Sequence, residues 1–288
     1  MENKLKVLAC VDQSHFAEYV TDYAAWAAQR MDAPLELLHI MDRHVDYGNA
    51  EDHSGIIGLN AQKNLLTELS EQDEQRSREA RETARVFLNQ LRERAEQAGV
   101  DHPDRRLRYG DLENTLAEQQ EEARLLVLGR RGTSAETTYR DLGRNVENVV
   151  RALAKPILTV TDRFKTPERV LLAYDGSAIT RKGVEMVASS PLFKGLPIHV
   201  LTTGEKRRPD AEKHLDWAKQ KLEQAGFEVT CALIPGDMES VIARYIKEQQ
   251  IDMLLMGAYT HSPLRSLFFG SKTSDLLRSA RIPTLLLR

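Results

Sequence analysis

Two cysteines in 288 residues, Cys10 and Cys231, exclude a disulfide-stapled scaffold. Both stand inside apolar, strand-like runs, where a thiol behaves as a small buried hydrophobe. No uncharged run reaches bilayer-spanning length, so the 41% apolar content reads as soluble globular cores. The opening "MENKLKVLACVD" enters a strand-like run without the apolar leader of a secretory signal, which predicts a cytoplasmic address. Neither sign of charge prevails: 40 basic against 43 acidic residues leave a net charge of −3, with no bulk attraction toward nucleic acid or an anionic membrane. Aromatic residues make up 6%, and Trp26 and Trp217 fall at unrelated places in the chain, so no base-stacking platform is implied. The phosphate-loop pattern G-x4-G-K-(S/T) is missing, and no G-x-G-x-x-G follows a strand.

What the chain does contain is the same text twice. "KVLACVDQS" (6–14) matches "RVLLAYDGS" (169–177), and "EQAG" occurs at 96–99 and 223–226. "YGDLE" (109–113) answers "PGDME" (235–239), "LLVLGRRG" (125–132) answers "LLMGAYT" (254–260), and "LAKPILTV" (153–160) answers "SARIPTLLL" (279–287). The spacing from Asp12 to Asp175 is 163, whereas Gly99 to Gly226, Gly143 to Gly270 and Pro156 to Pro283 are each 127 apart. The first half therefore carries 36 extra residues between its first strand and its EQAG element.

Each half alternates β-rich runs with helix-period segments, the pattern of a parallel sheet covered by helices. The expected strands lie near 5–11, 35–41, 104–109, 124–129 and 156–161, and near 169–174, 197–203, 228–234, 251–257 and 283–287. Phe16, Tyr19, Val20, Tyr23, Ala24, Ala27 and Met31 recur at helical spacing, as do Met238, Val241, Ile242, Tyr245 and Ile246. The polar segment "TDRFKTPE" (161–168) divides the chain into domains 1–163 and 164–288, expected to pack as a pseudo-twofold pair. The insertion falls within about 42–95 and predicts one long helix rich in opposite charges three and four apart. That helix reads as a solvated cover overhanging the sheet, with an arm for a homodimer or protein partner as the sharper alternative. Ahead of it, His44, Asp46, Glu51, Asp52 and His53 lack a metal-fixing spacing and read as a polar loop.

Functional signals gather at the presumed carboxyl ends of the strands, where open α/β sheets bind ligands. In the second half, Gly257 ends an apolar run, and Gly270-Ser271-Lys272-Thr273 precedes a helix whose free amides and hydroxyls suit phosphate. Asp175 ends that half's first strand and would repel phosphate, so its target is a ribose hydroxyl, a base or a divalent ion. The first-half counterparts are Asp12, Gly129, Gly132 and Gly143. Ser14 and Ser177 read as helix N-caps. His261 has no carboxylate partner, and His39 and His199 have no matching acid or base, so no catalytic group is assigned.

The order of strand and aspartate, then "GD", then glycine loop and helix, then a short strand after proline, found twice, resembles the universal stress protein family over nearly the whole chain. That resemblance implies two tandem five-stranded parallel-sheet α/β domains, of the adenine-nucleotide alpha-hydrolase-like kind, packed as a pseudo-dimer. It also implies ATP or a related adenine nucleotide, with or without Mg, held by the signature G-x2-G-x9-G-(S/T) and the strand aspartate. The second half fits this signature at Gly257, Gly270 and Ser271, with Thr260 where the second glycine belongs. The first half keeps Gly129 and Gly132, but ten residues precede Gly143, Arg144-Asn145 follows it, and Gln13 replaces the glycine after the aspartate. The second half is accordingly the expected nucleotide site, and the first is degenerate or tuned to another ligand. Three function classes follow: a nucleotide-binding stress or signalling protein with slow hydrolysis at most, a nucleotidyl-transfer enzyme whose HIGH-like and SGG-x-DS-like motifs do not appear, and a scaffold without nucleotide, or a binder of some other, nonpolar ligand, acting through partners.

Overall fold

A computed structural model describes residues 4–41, 59–130, 144–204, 210–257 and 281–287. Among them the first half contributes β1 (Lys6–Val11), α1 (Phe16–Met31), β2 (Leu35–Met41), α2 (Leu59–Gln97), β3 (Asp104–Tyr109), α3 (Leu112–Gln119), β4 (Ala123–Gly129), α4 (Arg144–Ala152) and β5 (Ile157–Val160). The second contributes β6 (Val170–Ala173), α5 (Ala178–Ser189), β7 (Ile198–Gly204), α6 (Ala211–Gln224), β8 (Val229–Pro235), α7 (Met238–Glu248), β9 (Met253–Gly257) and β10 (Thr284–Leu287). The central strands are buried on both faces and read as continuous apolar runs, as strands covered by helices must.

All ten strands join one sheet in the order β3-β2-β1-β4-β5-β10-β9-β6-β7-β8, which is a palindrome in repeat terms. Pairing is parallel everywhere except at the seam, where β5 meets β10 antiparallel. The seam register is Thr284 with Thr159, Leu285 with Leu158, and Leu286 with Ile157. Leu158 and Leu285 are themselves 127 residues apart, so the pseudo-twofold axis passes between equivalent leucines. The Thr159 hydroxyl donates to Thr284 O across the seam at 3.1 Å.

Contacts beyond the seam fasten the halves further. The Arg30 guanidinium on α1 donates to Leu192 O at 2.7 Å and to Lys194 O, both in the second half. Tyr23 of α1 exchanges hydrogen bonds with the Lys165 main chain and meets the Phe164 ring edge-on. Hence α1 is buried well beyond its predicted stripe, with Ala17, Ala25, Trp26 and Ala28 covered as well.

The long insertion helix is α2. Its lower part lays Ala84, Leu88, Leu91 and Ala95 on the core, and Arg94 pairs with Asp22 and Glu18 of α1. Arg81 donates to the hydroxyl of Tyr109, the last residue of β3, so the helix upstream of Arg81 extends past the sheet by about 30 Å at 1.5 Å per residue. The acidic and histidine-bearing segment 44–53 lies outside the described residues. Among the described residues, no helix is long and apolar enough to cross a membrane.

His199, buried in β7, faces the Tyr245 hydroxyl at 3.0 Å. Burial first, and then the Arg169 charge, hold its pKa below the ordinary 6.5, with Glu228 opposing them. The unfolded chain takes up this proton more readily, so the His199 contribution is fully present above pH 6.5 and is lost as the pH falls through the depressed folded value. Urea titrations should therefore show stability declining below pH 6.5, with His199→Gln removing that component; an unchanged pH slope would overturn it.

Candidate functional site

In each half the chain leaves the first strand and turns toward neighbours on opposite sides, with β2 and β4 flanking β1 and with β7 and β9 flanking β6. That reversal opens a crevice at the carboxyl ends of β1 and β4, and of β6 and β9. Cys10 pairs with Leu128 and Leu172 with Leu255, so continuing each register sets Val11 beside Gly129 and Tyr174 beside Gly257. Asp12 and Asp175 each follow by one residue. Gly129 is level with Val160, and Gly257 with Leu287; since those partners are 127 apart, the two glycines hold equivalent ladder positions. The strand pairing thus brings Asp12 together with Gly129, and Asp175 together with Gly257. Thr260, Gly270, Ser271, Lys272 and Thr273, and likewise Gly132 and Gly143, lie outside the described residues.

Each aspartate is held by its own turn, through different hydroxyls. In the second half, Asp175 Oδ1 accepts from Ser177 N at 3.0 Å and from the Thr180 hydroxyl at 2.8 Å. Ser177 caps α5 by accepting from Thr180 N, as its place before the helix predicts. In the first half, Asp12 Oδ1 accepts from both the amide and the hydroxyl of Ser14, at 3.2 and 2.5 Å. Ser14 is therefore not the N-cap expected of it. His15 holds the cap position of α1, and the Ser14 hydroxyl donates to the Asp12 carboxylate.

Behind each aspartate a side chain from the next strand pins the preceding carbonyl. His39 Nδ1–H donates to Val11 O at 2.8 Å, and the Thr202 hydroxyl donates to Tyr174 O at 2.8 Å. His39 and Thr202 are 163 apart, as are Val11 and Tyr174, so the clamp is duplicated while its chemistry is not. Sequence reading weighed His39 only as an acid or base and passed over Thr202 and Thr180; the 163-residue offset was the signal that pairs His39 with Thr202.

The surroundings of the turns differ. Gly176 has φ +75°, and a Cβ there would lie 2.2 Å from His214 Nδ1, so both conformation and space require glycine. Arg181 stacks over Trp217 with 5.5 Å to the ring centroid and donates to Gly176 O at 3.0 Å, placing a fixed positive charge on the turn. In the first half Gln13 replaces that glycine and Phe87 replaces His214, and a groove of about 590 Å³ runs between Gln13 and the α2 residues Thr83, Val86 and Phe87. At Gly257 a Cβ would come within 3.1 Å of Ile179 Cγ2, so packing against α5 already favours glycine there.

The "GD" elements prove structural. Gly110 N donates to Met41 O, and Gly236 N donates to Gly204 O. Asp111 and Asp237 then cap α3 and α7 by accepting from Asn114 N and Ser240 N. Cys10 lies two residues before Asp12; burial, and after it the Asp12 charge, push its thiol up to about 12. Such a thiol is inert at neutral pH. No cluster of histidine, cysteine and carboxylate suited to a metal occurs among the described residues.

The sequence model of the universal stress protein family matches this chain twice, over residues 5–161 and 167–288. Universal stress protein Slr1230 of Synechocystis sp. is 34% identical over 284 residues, covering 98% of this chain and 99% of that protein. The crystal structure of a universal stress protein from Archaeoglobus fulgidus superposes with a TM-score of 0.69 at 18% identity, over 99% of this chain and 97% of that one. A functionally unknown protein from Pseudomonas aeruginosa gives 0.61 at 16% identity, over 99% and 92%. These two structural likenesses speak to the fold.

Proposed function

The chain belongs to the universal stress protein family, and on that footing we propose that it binds ATP or a related adenine nucleotide in its second half and acts in stress response or signalling, hydrolysing the nucleotide slowly at most. The observation that carries the reading is the adjacency of Asp175 and Gly257 at the strand reversal, with the Asp175 carboxylate oriented beforehand by Ser177 and Thr180. An oriented carboxylate loses little freedom when it accepts from a ribose or base donor. Phosphates belong at the other end of the ligand, on the amides and hydroxyls of Gly257, Thr260, Gly270, Ser271, Lys272 and Thr273, with Mg supplying countercharge. Slow turnover at most follows from the sequence, which assigns the loop no general base and no arginine finger.

The first half, divided from the second at 163/164, takes a different ligand or none. Gln13 crowds the turn, and Arg144-Asn145 stands where the signature has a hydroxyl residue.

Calorimetric titration of the full chain with ATP and AMP, with and without Mg, tests this reading. One saturable site is expected, weakened about tenfold or more by Asp175→Ala, which removes a charge-assisted bond of about 1.5–3 kcal/mol. Gly270→Val with Ser271→Ala should abolish it. No saturation by the wild type, or binding indifferent to all three substitutions, would sink the reading.

A further inference from the structure

The ten-stranded sheet ends in two edges of opposite character. β3 reads Asp-Arg-Arg-Leu-Arg-Tyr, whereas β8, its repeat counterpart, reads Val-Thr-Cys-Ala-Leu-Ile-Pro without one charge. Charges on an edge strand discourage addition of a further strand; an uncharged β-rich edge invites it. The ladder identifies the open groups. Ile198 N donates to Glu228 O and Gly236 N donates to Gly204 O, so alternate residues from 228 to 236 turn their main chain toward β7. The amides and carbonyls of Val229, Cys231 and Leu233 therefore point away from it, and among the described residues no strand pairs with them. Pro235, the next in that series, has no N–H and closes the open stretch.

We infer that β8 is a homotypic docking edge, through which two copies of this chain pair antiparallel about a twofold axis at Cys231. The register follows from the open groups: Cys231 faces Cys231 of the second copy, and Val229 faces Leu233, each pair exchanging both main-chain hydrogen bonds. The side chains of all three residues lie on the face packed against the core beneath α6, so apolar groups meet apolar groups and no like charges are brought together. The same pairing at β3 would set Arg106 against Arg108. The chain already contains a contact of this kind, since β5 and β10 join its halves by antiparallel strand pairing across a pseudo-twofold. An edge this short buries less than the roughly 1,200 Å² of a standard interface, so the dimer is weak and concentration-dependent.

Sedimentation velocity of the full chain between about 5 and about 500 µM should show the average mass rising toward that of a dimer. Cys231→Pro deletes an outward N–H and leaves the β7 ladder intact; it should weaken association at least about tenfold. Facing residues in a hydrogen-bonded antiparallel pair have Cα atoms about 5.5 Å apart, within disulfide reach. Copper-phenanthroline oxidation at about pH 9, chosen because burial raises the Cys231 thiol, should give a covalent dimer that Cys231→Ser abolishes. A strictly monomeric chain, association unaffected by Cys231→Pro, or a cross-link that survives Cys231→Ser would each overturn the proposal; a strand from an unrelated protein as the true occupant would appear as the first of these.

Discussion

Leu158→Asp should unfold the entire chain. Leu158 and its seam partner Leu285 are 0% and 1% exposed, and both belong to an apolar cluster that runs without interruption from Val7 in β1 to Leu287 in β10. Removing a buried leucine costs about 2–5 kcal/mol, and an unpaired carboxylate in its place adds several more. Together these approach the 5–15 kcal/mol that typically separates a folded domain from its unfolded chain. Because the leucine sits on the pseudo-twofold, neither half has a private core in which to contain the damage. Circular dichroism should report loss of helix from both halves. Leu158→Ala is the milder companion, at about 3 kcal/mol, and Leu285→Ala should match it to within about 1 kcal/mol since their surroundings are repeat-equivalent. Unfolding of the aspartate variant in two steps, with one half retaining the wild-type midpoint, would show that the halves are independent.

Much of this architecture was legible because alternation of apolar runs and helical stripes is a local property. The strand-like runs at 35–41 and 104–109 coincide with β2 and β3, and the charged insertion forms the single helix α2. What escaped was non-local. The stripe on α1 did not announce that Trp26 and Ala28 would be covered, because part of the cover comes from the second half around Leu192 and Lys194. Nor does periodicity distinguish a seam strand from an edge strand. β5 and β10 are short apolar runs after proline, and only pairing shows them meeting antiparallel.

At the candidate site, the sequence placed Asp12, Asp175, Gly129 and Gly257 on the correct strand ends, since repetition marks positions that the fold needs twice. Repetition extends to the main chain of each turn, where the amide two residues on, of Ser14 or of Ser177, donates to the aspartate, but it was silent about the side chains. The donating hydroxyl is that of Ser14 in the first half and of Thr180 in the second, at offsets of two and five from the aspartate, so the hydroxyls do not align. The same limit explains the error at Ser14. A serine before a helix is a cap only where its oxygen can accept from the first-turn amides; α1 starts one residue later, with His15 at the cap, and the Ser14 hydroxyl donates to the Asp12 carboxylate.

Asp252→Ala should destabilise the chain by about 3 kcal/mol, through main-chain amides more than through its ion pair. Asp252 is 7% exposed and precedes β9. Its carboxylate accepts from Glu168 N and Arg169 N, each at 3.1 Å, and from Lys165 Nζ. Lys165 and Glu168 belong to the linker and Arg169 follows it directly; Tyr23 grips the same segment from the first half through Lys165. The carboxylate is thus the second-half anchor of the segment that joins the domains. Alanine leaves two amides without an acceptor, each costing about 1–3 kcal/mol where water cannot replace it fully. The ammonium is the lesser loss: the Lys165 side chain is 63% exposed, and an ion pair so open to solvent contributes no more than about 1 kcal/mol. Asp252→Asn keeps a carbonyl for the amides and should cost about half as much as alanine. Lys165→Ala should cost least. Chemical denaturation of the three variants ranks them, and a Lys165→Ala loss equal to that of Asp252→Ala would mean that the charge, and not the linker main chain, is what Asp252 holds in place.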